Sequence, residues 1–217
     1  MTIANAPIPI SLDSQQHIVL DGMSWEFYEQ LLAEIGDGAT RVTYDQGRME
    51  IMSPLAKHEG YGVWITQLLA VIGLGRGIQI RGFGSTTFRA ERKKKGLEPD
   101  QCFYIQNSDA GAELWDEFDP DINPPPDLAV EIDITRRSIP RQPIYASLGV
   151  PELWRFDGTN LEVLHLSSKG KYEKKTRSLA FGFLPMAEFA KFIPRVRDQD
   201  QFKVLSEFRD WVATLSK

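Results

Sequence analysis

Four acids in this chain have the types and spacing to do chemistry together. The stretch PDLAVEIDIT, residues 126–135, alternates as a strand does: Asp127, Ala129, Glu131 and Asp133 share one face, and Leu128, Val130, Ile132 and Ile134 share the other. An isolated carboxylate in an apolar setting is strongly disfavoured, and two on one strand face cannot both ionise cheaply. A cation resolves the conflict. It is either an Arg or Lys side chain or a divalent metal, and Mg²⁺ and Mn²⁺ prefer hard oxygen ligands: carboxylates, waters and phosphate oxygens. Asp100 follows Pro99 at the entry to the apolar run QCFYI, and it can face Glu131 if the two strands are neighbours. Glu59 lies toward the start of a helix, beside Lys57 and His58. Singly, each of these acids reads as a solvated or salt-bridged group, and Glu98 beside Pro99 reads as solvent-facing. Their joint order carries the signal: a helix acid, then a Pro-Asp strand, then an apolar strand with Glu-x-Asp.

The elements that must position these residues are legible in outline. Residues 24–36 predict a helix, with Ser24 as N-cap, Gly36 as stop and Phe27, Leu31, Leu32 and Ile35 on one stripe. RVTYDQGRMEIMSP predicts a hairpin turning at 45–47. A second helix is expected over about 55–74, with Val63, Leu68, Leu69 and Ile72 on its apolar side. IQIRGFGSTTFRA and LEPDQCFYIQ read as strands joined by the basic turn ERKKKG. Residues 107–125 are acidic and end in prolines, which suggests a long surface loop with a helical turn around 113–118. A short helix over SIPRQPIYASLG, strands VPELWRFD and NLEVLHLS about Asp157-Gly158, a pairing segment GKYEKKTRS and an amphipathic C-terminal helix over about 199–216 complete the chain. Phe202, Leu205, Phe208, Trp211, Val212 and Leu215 line that last helix. This order predicts a mixed α/β fold: a central sheet flanked by helices, in a single domain over 21–217 after a leader at 1–20 that is floppy or lies along an edge.

Composition bounds the function. With 217 residues, 42% hydrophobic, 25% charged and a net charge of −5, the chain has the make-up of an ordinary globular domain, and nothing global draws it to nucleic acid or anionic membrane. Any nucleic-acid site must be local. Cys102 is the single cysteine and lies in an apolar run, so it reads as an inert buried thiol. His17, His58 and His165 are scattered, without zinc-ligand spacing. No run is long enough to span a membrane and no signal peptide is apparent, so a reducing cytoplasm is expected. GLGRG at 73–77 ends a helix rather than opening one, which excludes a dinucleotide fingerprint.

The ordered acids, with GRMEIMSPLAKHE, LEPDQCFYI, PPPDLAVEIDIT and PIYASLGVPELWRFD, resemble the PD-(D/E)XK nuclease superfamily over about 24–190. More closely, they resemble its large bacterial branch of uncharacterised restriction endonucleases; Tyr145, Gly149, Val150, Glu152 and Trp154 are the residues most specific to that branch. The resemblance implies a restriction-endonuclease-like mixed sheet flanked by helices, with an added N-terminal helix-hairpin and a C-terminal helix. It implies Mg²⁺- or Mn²⁺-dependent cleavage of DNA phosphodiesters, with Asp100 and Glu131 as metal ligands and Glu59 as the helix acid. Asp133 stands where the superfamily has lysine. The branch recruits a basic residue from the following helix, and the matching position is Arg141. Arginine is always charged, so it can stabilise transition-state charge but cannot act as a general base. Its competing role is an ion pair with Asp133 or Glu131.

Phosphate contacts are one reading of the basic run that leads into the Asp100 strand, Lys93, Lys94 and Lys95; a charged solvated turn is the other and the favoured one. Two other readings stand beside the nuclease. One is a degenerate, non-catalytic member that binds nucleic acid or protein; the other is an assembly protein using Trp115, Trp211 and the C-terminal helix. A homodimer fits a nuclease that must cut two strands.

Overall fold

A computed structural model describes residues 17–36, 40–113, 123–134 and 138–215. Two sheets organise it. The chain enters through β1 (His17–Leu20), α1 (Trp25–Ile35), β2 (Arg41–Asp45) and β3 (Arg48–Met52), then runs through the long helix α2 (Ala56–Arg76). It continues through β4 (Arg81–Gly82), β5 (Phe88–Ala90), β6 (Lys95–Leu97), β7 (Gln101–Tyr104), α3 (Ser108–Glu113) and β8 (Leu128–Ile132). The last part is α4 (Gln142–Leu148), β9 (Glu152–Phe156), β10 (Leu161–Leu166), β11 (Tyr172–Lys175), α5 (Met186–Phe192) and α6 (Gln201–Thr214). One sheet has the order β1-β3-β2-β6-β5 and the other β11-β10-β9-β8-β7-β4. The only parallel pair among the described strands is β8–β9, joined across α4.

The local signals explain most of these elements. Ser24 caps α1 by accepting from the Phe27 amide at 3.1 Å, and Gly36 ends it at φ 56°. The β2–β3 hairpin turns through Gln46 and Gly47, both at positive φ. α2 runs two residues past its expected end, and Val63, placed on its apolar side, is 52% exposed; Trp64, Ile65, Leu68, Leu69 and Ile72 form the buried stripe instead. β8 is buried on both faces. Leu128, Val130 and Ile132 join α2, β9 and α6 in the main core, and Ala129 joins Ile144, Tyr145, Val150 and Leu153 beneath α4. The alternation read from the sequence therefore divides two cores. It does not divide core from solvent.

The structure refines the local reading in several places. Each of the two strands read around the basic turn is split between sheets. β5 and β6 pair in one sheet while β4 and β7 pair in the other; Pro99, between β6 and β7, breaks the ladder there. The end of the expected leader, 17–20, is a strand along the edge of the first sheet, paired to β3. α5 is not among the elements expected from the sequence. Of the acidic segment 107–125, Ser108–Glu113 is helical, and the turn expected around 113–118 otherwise lies outside the described residues. On α6, Phe202 points to solvent while Val204, Phe208 and Val212 are buried.

Two acids of the strand motifs are structural. Asp127 accepts from the Ile105 amide (2.6 Å), the Asn107 amide (2.9 Å) and the Asn107 side chain (2.6 Å), closing the turn after β7. Glu152, wholly buried, gathers the indole of Trp154, the Ser178 hydroxyl and the amides of Leu179 and Ala180 at 2.8–3.1 Å.

Candidate active site

β7 and β8 are antiparallel neighbours with Gln101 opposite Val130, so the next step of the register sets Asp100 beside Glu131. Asp100 Oδ2 accepts from the Ile132 amide at 2.7 Å, which fixes its carboxylate at the end of β8. Both residues are buried, at 8% and 3% exposure.

The Glu131 carboxylate faces Arg141, whose Nη1 donates to Oε1 and Oε2 at 2.8 and 3.0 Å, and the Tyr145 hydroxyl also donates to Oε1. Arg141 sits at the entry to α4 and is itself buried. Its Nη1 also donates to the Glu98 carbonyl at 2.9 Å and its Nη2 to the Thr43 hydroxyl at 3.1 Å. Burial works against the guanidinium charge. Glu131, with Tyr145 and Asp100, outweighs it and raises the pKa above the ordinary arginine value, so the charge is permanent. Burial, reinforced by Glu131, pushes the Tyr145 hydroxyl well above its usual range, so it stays protonated and donates.

The other predicted residues are placed as follows. Asp133 pairs with Arg155 on β9, not with Arg141. Arg155 stands opposite Glu131 in the parallel register and also reaches Glu162 at 3.7 Å. Glu59, in the first turn of α2 and half exposed, meets Arg41 at 3.2 Å. Arg41 in turn lies 3.7 Å from Glu98. Lys93 donates to the Ser147 carbonyl, Lys94 lies 5.4 Å over the Trp25 ring, and Lys95 pairs with Asp45 at 2.9 Å. All three lysine ammonium groups are thus engaged by the protein. Arg136 and Arg137 lie outside the described residues. Cys102 is fully buried and its thiol is pushed up to about 12 by burial, as an inert thiol should be.

Sequence reasoning missed Glu98, Glu50 and Arg155. Glu98, read as solvent-facing, is 7% exposed, because the crossover at Pro99 turns it under Arg41 and Arg141. Glu50 on β3 is 1% exposed and accepts from the Ser138 amide at 2.8 Å, tying the segment that delivers Arg141 to the first sheet. Arg155 stands among Leu153, Trp154 and Phe156 in a largely apolar strand, but its role follows only from strand pairing.

Burial raises the Glu98 carboxyl above its usual pKa, with Arg41 and Arg141 pulling the other way. Between the unfolded and the raised folded value, the native state holds more proton than the unfolded chain. Stability of the metal-free protein therefore falls as pH rises through that window. Glu98→Gln is expected to flatten this part of the curve of urea midpoint against pH. An unchanged slope would place the carboxyl in water.

Mg²⁺ and Mn²⁺ commonly take only one or two protein carboxylates and complete their shell with water and substrate phosphate. Asp100 and Glu131 fit that donor set, side by side on adjacent strands. Among the described residues no group of three or more His, Cys, Asp or Glu side chains could hold a metal, so an all-protein cage is not the fit.

A mixed sheet flanked by helices, with paired acids at the junction of an antiparallel and a parallel strand, defines the restriction-endonuclease-like class. The chain matches the family model Uma2, described as "Putative restriction endonuclease", over residues 25–188, and it belongs to that family. No curated protein matches it. No helix among the described residues is long and apolar enough to cross a membrane.

Proposed function

We propose that the protein is a Mg²⁺-dependent endonuclease, Mn²⁺ serving equally, that hydrolyses phosphodiester bonds of DNA in the cytoplasm. The register that sets Asp100 beside Glu131, with the permanent charge of Arg141 against them, carries this reading. A bound divalent ion would supply Lewis-acid polarisation of the phosphate and an acidified water. Asp100 and Glu131 would hold it. Arg141 takes the part of the superfamily's lysine in charge only: it stabilises negative charge building on the phosphoryl oxygens and moves no proton. Tyr145 orients Glu131. Glu59, half exposed and tethered to Arg41, would orient a water. Asp133 holds Arg155. A homodimer would bring two such centres to two strands.

One observation favours the degenerate binding module instead: Arg141 bonds both oxygens of Glu131, so an ion must share or displace a guanidinium. Calorimetric titration of Mn²⁺ into the metal-free protein separates the readings. Asp100→Asn and Glu131→Gln preserve shape and should abolish both Mn²⁺ binding and plasmid nicking while the fold, followed by circular dichroism, is retained. A folded parent that neither binds millimolar Mn²⁺ nor nicks DNA would make the module the better account.

A further inference from the structure

Next to the carboxylates, between α4 and the β10–β11 hairpin, the surface opens into a cleft of about 1090 Å³. That is at or above the upper end of the range, roughly 300–1,000 Å³, in which small-molecule sites fall. Glu131, Asp133 and Arg141 lie along it, and Arg155 and Lys171 join them, giving three cations to two carboxylates. Its walls are apolar: Pro143 and Ala146 from α4, Ile139, Leu153 and Tyr172. The Tyr172 hydroxyl donates to the Val150 carbonyl at 2.6 Å, which pins its ring in place.

We propose that this cleft receives unpaired nucleotides, so that the enzyme acts on single-stranded or locally unwound nucleic acid; this rests on the nuclease reading above. A duplex keeps its bases stacked inside a convex cylinder and presents phosphates and base edges, not base faces, to a protein. Apolar walls gain nothing from it unless a nucleotide is extruded, at an unstacking cost that is smallest for a strand already unpaired. A strand laid in the cleft sets bases against Tyr172, Pro140 and Pro143, in the way that stacking platforms hold single strands. Its phosphates meet Arg155 and Lys171, and the next phosphate along reaches the end of β8, where Asp100 and Glu131 stand. Arg155 is about one-third exposed and so open to a phosphate from the cleft side while it bridges Asp133 and Glu162. Guanidinium is the side chain best shaped for two-pronged phosphate contact.

The test is fluorescence anisotropy with a labelled oligo-dT strand, and with a labelled duplex of the same length, in EDTA so that neither is cut. The single strand should bind at least about tenfold more tightly than the duplex. Ala146→Phe fills the cleft without touching a charge, and Lys171→Glu reverses an exposed cation. Each should weaken oligo-dT binding by about tenfold, with unfolding temperature and Mn²⁺ affinity as in the parent. Equal or tighter duplex binding, or an Ala146→Phe variant that binds oligo-dT like the parent, overturns the inference. Because neither variant alters Asp100 or Glu131, Mn²⁺-dependent nicking that survives such a result leaves the nuclease reading intact. Loss of Mn²⁺ binding in the parent removes that reading separately.

Discussion

Arg141→Ala should lower the unfolding free energy by about 3–5 kcal/mol, the usual result of removing one partner from a buried ion pair. The side chains of Arg141 and Glu131 are 5% and 4% exposed, so without the guanidinium the carboxylate is left in the interior beside Asp100. Two further acceptors lose their donor, the Glu98 carbonyl and the Thr43 hydroxyl. Most of the loss comes from stranding charge, since the intrinsic worth of a buried pair is small. It follows that Arg141→Leu combined with Glu131→Leu should recover much of it, because apolar pairs of similar volume often replace buried ion pairs at little cost. Urea unfolding of the four proteins in the cycle measures the coupling. A single-variant loss below about 1 kcal/mol, the range of exposed pairs, would mean the pair is hydrated in solution. The same cycle bears on function: a protein that keeps so costly a pair at its candidate metal site, when leucines would serve the fold, has a use for the charges.

Glu152→Ala is the second large effect, and it should spare the metal site. The variant strands the Trp154 indole, the Ser178 hydroxyl and two backbone amides, all gathered on one buried carboxylate. At about 1–3 kcal/mol for each buried donor left unmade, partly relieved by water entering, a loss of roughly 3–6 kcal/mol is expected. The segment Glu152 holds delivers Phe181 and Leu184 to the main core, so the damage spreads into packing. At a temperature where the variant is still folded, its Mn²⁺ affinity should match the parent's, because Glu152 belongs to the opposite end of β9 from Arg155 and Asp133. Calorimetry beside thermal unfolding checks both halves. Unaltered stability with lost metal binding would reassign Glu152 to the site. Glu152 would thus be an anchor, while the proposed chemistry rests on Asp100 and Glu131.

Short-range physics made much of this readable from the sequence. The cap at Ser24, the stop at Gly36 and the hairpin turn at 45–47 depend on steric preferences within a few residues. The alternation through 128–132 depends on the two-residue period of a strand, and it correctly separated Leu128, Val130 and Ile132 from Ala129 and Glu131. Where the reading slipped, a residue's environment was set from afar. Val63 and Glu98 were assigned faces by local pattern, yet one is exposed and the other buried.

Taken alone, the sequence determined which residues can do chemistry. It supplied the acid types, their order along helix and strands, and the absence of a lysine beside Glu131. Only the tertiary structure decided which charge answers which. Glu131 and Arg155 are opposite one another, and Asp100 and Glu131 adjacent, because β8 lies between β7 and β9. That placement sends Arg155 to Asp133 and leaves Arg141, brought over the sheet by the start of α4, to Glu131. The reason is physical. Backbone sterics and periodicity act over a handful of residues and are written locally. The partner of a buried charge is whatever strand pairing and helix packing bring within about 4 Å, and residues far apart in the chain settle that together.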